Sequence, residues 1–234
     1  MSDYIVHDSE LTSIANAIRG VTGGSTSLAF PTAFVTEIEG IGGTIDRIID
    51  RTISEIYNSR VSVIGNYAFQ SCPSLTTVSF PNCTSIDSYT FAYCTNLTTI
   101  SFPNCTNIGS YAFGYCTNLT TISFPNCTNI GNYAFVSCTN LTTAYFFSHQ
   151  SIASCVFMRC YCLKSIYFLG SSVGTLSVSA FTSTPISNYS IYNNNEYGSI
   201  YVRASLLASF KTATNWSVYS ARMVGLTDAQ IAAL

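Results

Sequence analysis

Residues 100–121 read ISFPNCTNIGSYAFGYCTNLTT, and residues 122–143 read ISFPNCTNIGNYAFVSCTNLTT, so one 22-residue unit follows its near copy without a break. Folded at this period, Ile64, Ile86, Ile108, Ile130 and Ile152 fall in one column. A repeat of this length cannot bury its apolar face alone, so the coils must stack and share one interior. Within a coil, Leu97, Ile100, Phe102, Cys105 and Ile108 are spaced as a short strand and the turn after it, all pointing inward. One strand per coil predicts a parallel sheet with neighbours about 4.8 Å apart. Pro81, Pro103 and Pro125 follow the strand phenylalanine. They lack a backbone donor, so they end strand pairing and open the turn.

The second half of each coil repeats Tyr-x-Phe at Tyr67 to Phe69, Tyr89 to Phe91, Tyr111 to Phe113 and Tyr133 to Phe135. These phenylalanines are expected to fill the convex side of the core, each stabilising it by about 1.5–3 kcal/mol through burial. Two cysteine columns run along the stack, Cys83, Cys105 and Cys127 after the strand, and Cys72, Cys94, Cys116, Cys138 and Cys160 after the phenylalanine. Parallel Cβ vectors one strand spacing apart do not suit a disulfide, which needs Cβ atoms at about 3.5–4.5 Å. Free thiols are expected, packed as small apolar groups that can donate weakly to turn carbonyls.

The pattern Ala112-Phe113-x-x-Cys116-x-x-Leu119-x-x-Ile122-x-x-Pro125 resembles the BspA-like leucine-rich repeats. The fold expected is therefore an α/β solenoid of 22-residue coils with one parallel sheet, a small helical N-terminal segment and a small α+β C-terminal cap. The expected division is residues 1–44 for attachment or oligomerisation, 45–62 for the N-terminal cap, 63–173 for the solenoid and 174–234 for the C-terminal cap. The resemblance implies adhesion or recognition towards host proteins or glycans. The N-terminal Leu11 to Arg19, followed by Leu28 to Pro31 with Phe34 and Ile38, is similar to a module of phage and prophage tail-associated proteins of Gram-positive bacteria. Gly198 to Val202, with Leu206, Leu207 and Trp216, is similar to a segment that closes such repeat proteins. Together these resemblances imply a tail-associated recognition protein. The alternatives are a bacterial cell-surface adhesin and a structural spacer or assembly protein.

At the N-terminus, Asp8 or Ser9 can cap a helix carrying Leu11, Ile14 and Ile18 on one face, and a second helix from Pro31 carries Phe34 and Ile38. These five apolar residues are the candidate attachment surface, to a virion or to sister copies in a homo-oligomer. Asp46, Arg47, Asp50 and Arg51 have helical spacing for ion pairs of small worth. Register is expected to be lost after Val173, with strands over 187–192 and 199–202 and an amphipathic helix over 204–212 before Trp216.

Only 9% of residues are charged and the net charge is −2. Nine scattered Lys and Arg provide no basic stripe for a run of phosphates, so nucleic acid is not an expected partner. Eight of the eleven acidic residues fall at or before Glu55, and between Val61 and Met158 only Asp87 is charged. No apolar stretch reaches the roughly 20 residues of a membrane span. The start MSDYIVHDSEL has no signal-peptide pattern. Synthesis in the cytoplasm, function on a virion or outside the cell, and no membrane insertion are the expectations.

No catalytic residues, cofactor or metal site are expected. His149 with Cys155, Cys160 and Cys162 fits no zinc spacing, and a Cys-His nucleophile would need a cationic, exposed setting the columns lack. No phosphate loop or nucleophile motif appears, and the repeats hold no paired carboxylates. Asn-x-Thr triplets such as Asn96-Leu97-Thr98 read as turn residues. The candidate ligand-binding residues are the outward strand positions Thr77, Ser79, Thr99, Ser101, Thr121, Ser123, Thr143, Tyr145, Ser165 and Tyr167. The change from Thr and Ser to Tyr in the last coils, with Lys164 and Arg159 near, suits sugars or a protein partner. An inert solvated sheet of good strand formers is the competing reading.

Overall fold

The computed structural model describes residues 44–45, 54–148, 151–187 and 197–234. Residues Leu11, Ile14, Ile18, Phe34 and Ile38, the charged run at 46–51 and His149 lie outside them.

Each coil contributes two strands. On one side lie β2 (Glu55–Tyr57), β4 (Thr77–Ser79), β6 (Thr99–Ser101), β8 (Thr121–Phe124), β10 (Thr143–Phe146) and β12 (Ser165–Phe168). On the other lie the two-residue β1 (Thr44–Ile45), β3 (Val63–Ile64), β5 (Ser85–Ile86), β7 (Asn107–Ile108), β9 (Asn129–Ile130), β11 (Ser151–Ile152) and β13 (Thr175–Leu176). The second set forms one continuous parallel sheet of seven strands. Its in-register pairs, such as Ile86 with Ile108, reproduce the isoleucine column. The expectation of a single sheet is thus corrected: residues such as Asn107 and Ile108 alternate out and in just long enough to make a second one.

The longer strands do not form one sheet. β2, β4 and β6 pair together, and β8, β10 and β12 continue separately with β14 (Ser199–Arg203) and β15 (Met223–Leu226). Between β6 and β8 the ladder is interrupted, and Ile100 is half-buried where Val78, Ile122 and Ile166 are buried.

Two phenylalanine stacks fill the interior. Phe69, Phe91, Phe113, Phe135, Phe157 and Phe181 follow one another with ring centroids 5.0 to 5.7 Å apart. Phe80, Phe102, Phe124, Phe146 and Phe168 do the same at 5.7 to 6.4 Å. Rings of the two stacks meet tilted or edge-on, an arrangement that suits the aromatic quadrupole. The side opposite the strands is turn, not helix. Tyr67, Tyr89, Tyr111 and Tyr133 take left-handed φ values of 56° to 62°, and Ser71, Tyr93, Tyr115, Ser137 and Arg159 do so one column on. These turns extend the main-chain bonding between coils, as in Phe91 N to Ala112 O (2.8 Å) and Tyr93 N to Gly114 O (2.8 Å).

Side chains add their own ladders. Thr98 Oγ1 donates to Thr76 O, and Thr106 and Thr128 donate likewise to Thr84 and Thr106. Asn104 Nδ2 and Asn126 Nδ2 donate to Pro81 O and Pro103 O. The Asn and Thr of the repeat are therefore inter-coil donors, which explains a surface so poor in charge. All ten cysteines are free thiols. Cys116 and Cys138 donate to Phe91 O and Phe113 O in an earlier coil, whereas Cys105 donates to Asn107 O in its own.

Register is not lost after Val173. β13 pairs Ile152 with Leu176, and Phe181 continues the phenylalanine stack, so this coil is two residues longer than the 22-residue coils between Ile64 and Ile152. Ser187 is in a turn, and residues 188–196 lie outside the described residues. β14 forms where expected and extends to Arg203. The predicted helix opens as a 3-10 turn at Ala204–Leu206 and continues as α1 (Leu207–Thr212). A second 3-10 turn, Ser217–Arg222, leads to β15, and α2 (Asp228–Ala232) follows with a Thr227–Gln230 capping box. Ile56 and Val61 are buried ahead of Ile64.

Candidate binding face

The sheet rule that alternate residues face opposite ways puts Thr121 and Ser123 outward while Ile122 and Phe124 are buried. Strand pairing carries the same choice from coil to coil. Thr121, Thr143, Ser165 and Ser199 form one row, and Ser123, Tyr145, Tyr167 and Tyr201 the next. Across the interruption, Glu55, Thr77 and Thr99 line up, as do Tyr57, Ser79 and Ser101. All ten predicted residues thus share one side, in two blocks of paired strands.

The aromatic part of this face has a defined geometry. Tyr145 and Tyr167 stack at 4.6 Å, and Tyr167 and Tyr201 at 4.5 Å, with planes within 17°. Phe147 follows the end of β10 directly, its ring 6.4 Å from that of Tyr145 and within 14° of parallel. Burial raises the Tyr167 phenol above its ordinary range, and the phenols of Tyr145 and Tyr201 raise it further. At neutral pH the Tyr167 hydroxyl is therefore uncharged.

Sequence reasoning missed Tyr201 and Phe147. Tyr201 pairs with Tyr167 from thirty-four residues away, outside the 22-residue period, so the repeat conceals it. Phe147 occupies the column of Pro125, one residue past the end of β10, and its ring lies beside that of Tyr145 two residues before it. Arg159, expected near the tyrosines, lies in the left-handed turn column of Tyr93 and Tyr115. Lys164 is exposed immediately before β12. Arg203 is held by Asp228 at 2.7 Å, with its Nε donating to Leu169 O.

A second tyrosine stack, Tyr67, Tyr89, Tyr111 and Tyr133, runs along the turn side at 4.8 to 5.1 Å. It ends at Cys155, whose hydrogen bond with the Tyr133 hydroxyl pushes that phenol up. Burial pushes the column thiols up as well, to about 11 for Cys83 and about 12 for Cys127 and Cys138. Such thiols are protonated and poorly nucleophilic. Among the described residues no three of His, Cys, Asp and Glu are grouped to hold a metal ion, and no helix is long and apolar enough to cross a membrane.

A stack of 22-residue coils with parallel strands, buried phenylalanine columns and thiols bonded to turn carbonyls defines a leucine-rich-repeat solenoid. The family model for the BspA type leucine rich repeat region matches in six copies over residues 62–188, more than half of the chain, and the chain belongs to that family. Among solved structures it is similar to a leucine-rich repeat protein from Eubacterium ventriosum, at 22% identity and TM-score 0.51, over 66% of this chain and 46% of that one. A leucine-rich repeat protein from Bacteroides ovatus matches at 22% identity and TM-score 0.48, over 68% and 52%. A leucine rich cell surface protein from Faecalibacterium prausnitzii matches at 18% identity and TM-score 0.41, over 70% and 58%. The chain spans about half the length of these structures. Comparison with curated proteins finds no match.

Proposed function

We propose that the chain is a non-catalytic recognition or adhesion module whose sheet face binds a macromolecule at a cell surface. The observation that carries this reading is the Tyr145, Tyr167 and Tyr201 ladder, three aromatic rings in register on the outward side of strands whose counterparts on β4, β6 and β8 carry Ser. A stack of rigid, half-exposed amphipathic side chains offers contact area at little cost in conformational entropy. Membership of the BspA-type family supports a binding role, and the raised, buried thiols fit a module that performs no covalent chemistry.

In this reading the N-terminal module attaches the solenoid to a larger particle or to sister copies through Leu11, Ile14, Ile18, Phe34 and Ile38. Several copies on one particle raise a weak single-site affinity. The particle in this reading is a phage or prophage tail; a cell-surface adhesin is the second setting. The test is binding of bead-displayed protein to bacterial cells and isolated envelopes, comparing the natural chain with Tyr145→Ala/Tyr167→Ala/Tyr201→Ala. Loss of binding in the triple variant with an unchanged melting temperature is expected. Undiminished binding refutes the assignment.

A further inference from the structure

We propose that the step between Ser123 and Tyr145 is a site for a neutral glycan, with one sugar ring stacked on Tyr145 and the next on Phe147. This rests on reading the sheet face as the recognition surface, and it names the ligand and its place.

The tyrosine ladder has a free end. Tyr167 covers one face of the Tyr145 ring at 4.6 Å, while the register partner on the other side is the small Ser123. Phe147 stands beside Tyr145, nearly parallel, at a centroid separation of 6.4 Å, close to the advance of two residues along a strand. The two rings therefore form one upright wall two rings wide. Phe147 remains 38% exposed although its side chain is wholly apolar. Because β10 and β8 are in register up to Phe146 and Phe124, Phe147 rises opposite Pro125.

At the foot of the wall lies a polar floor. Thr121 and Ser123 are exposed on β8, and Thr99 and Ser101 are exposed on β6 across the interruption. The floor therefore offers hydroxyls that can both donate and accept. A pyranose matches this combination, since its C–H face packs on an aromatic ring while its hydroxyls point sideways to the floor.

Charge selects among glycans. The one ionisable carboxylate of the central coils, Asp87, directly follows β5 of the other sheet and accepts from Ser85 Oγ, and Arg203 is already paired with Asp228. Among the described residues the exposed Lys164 stands before β12, across β10 from Ser123, so neither an acidic polysaccharide nor a basic peptide finds a counter-charge at the step itself. An apolar protein anchor would need a dry pocket, which a hydroxyl floor does not provide.

The experiment titrates the full chain, by NMR or calorimetry, with hexasaccharides of β-1,4-linked glucose, N-acetylglucosamine and mannose, and with hyaluronan hexasaccharide as the acidic control. At least one neutral oligomer is expected to bind and hyaluronan to fail. Tyr145→Ala and Phe147→Ala should each weaken binding about ten-fold or more. Ser123→Tyr adds a ring to a column that already stacks tyrosines, so it should fold normally yet cover the wall and abolish binding. Failure of all three neutral oligomers, or binding that survives Ser123→Tyr, overturns the proposal. If sugars fail while envelope binding still depends on Tyr167 and Tyr201, the glycan site falls and the recognition face stands. If envelope binding ignores every substitution, both fall.

Discussion

Tyr111 stacks on Tyr133 at 4.8 Å with planes 13° apart, although both residues hold left-handed backbone at φ 56° and 59°. A side chain in that conformation costs about 1–2 kcal/mol, and glycine would avoid the cost. The stack supplies the compensation. Tyr111 has a parallel neighbour on each side, and an aromatic pair contributes about 0.5–1.5 kcal/mol. Tyr111→Ala keeps the strain and loses both contacts, so urea unfolding should show a loss of about 1–3 kcal/mol. Tyr111→Gly removes the strain as well and should lose less. Tyr111→Val, branched at Cβ, should lose most. Equal stabilities for the alanine and glycine variants would contradict the account.

The thiols predict an alkaline limit. Cys83, Cys127 and Cys138 are buried, which raises them from 9.0 to about 11, about 12 and about 12. The folded protein then holds protons that the unfolded chain releases above pH 9. The stabilisation is complete below pH 9 and declines as pH rises towards 11 to 12, by about 1.4 kcal/mol per thiol per pH unit. Urea midpoints should hardly change between pH 7 and 8.5 on account of these groups, and should fall steeply from pH 9 to 10.5. Substitution of Cys138 by Ala should flatten the fall. A midpoint constant to pH 10.5 would exclude it.

Accessibility gives a separate check. Cys155 and Cys162 are half-buried and the other eight cysteines are buried. A maleimide added to the native protein at pH 7.5 should label two thiols quickly, and in urea all ten. Fast labelling of Cys105 or Cys116 would show that the columns open, contrary to close packing of the coils.

These features were unequally legible in the sequence. Ile108, Phe113 and Leu119 recur at a fixed period, so the solenoid and its buried columns could be read directly. Tyr111 was equally visible, but its left-handed φ was not, because propensity places tyrosine in extended backbone and only inter-coil bonds such as Tyr111 N to Asn132 O hold it elsewhere. The candidate face followed from alternation at Thr121 and Ser123. Its aromatic end was only half legible, since Tyr201 enters through strand pairing across a stretch that breaks the period. The interruption between β6 and β8 had no signal, because Thr98 to Phe102 and Thr120 to Phe124 are the same residues.

Gly109 tests how closely coils approach. A Cβ built there would lie 2.5 Å from Asp87 C and 2.6 Å from Ser88 N, both main-chain atoms that cannot rotate away. Gly109→Ala should therefore force neighbouring coils apart and cost about 1–3 kcal/mol, as overpacking does. Gly114→Ala meets its nearest obstacle, a Val136 methyl, at 3.2 Å and should be milder. Thermal melts of the two variants decide the order.

The last prediction concerns the end of the stack. A solenoid coil with no successor exposes its aromatic columns; here Trp216 closes the one that ends at Phe168, and Tyr219 meets the one that ends at Phe181. Trp216 is buried, meets Phe168 edge-on at 5.1 Å and Phe210 at 4.9 Å, and donates from Nε1 to Gly174 O at 2.7 Å. Asn215 fixes the same segment by donating to Leu176 O. Trp216→Ala removes the lid and leaves Phe168 facing a void, which for a large aromatic side chain costs about 3–5 kcal/mol. Trp216→Phe retains an edge-on ring but leaves Gly174 O without its donor, so its loss should be smaller. The alanine variant has a second expected consequence. An uncovered end presents a column of rings complementary to another coil, so light scattering should reveal concentration-dependent association that the phenylalanine variant does not show. If Trp216→Ala melts with the natural chain and stays monodisperse, the segment after β14 is an appendage and the core is sealed elsewhere.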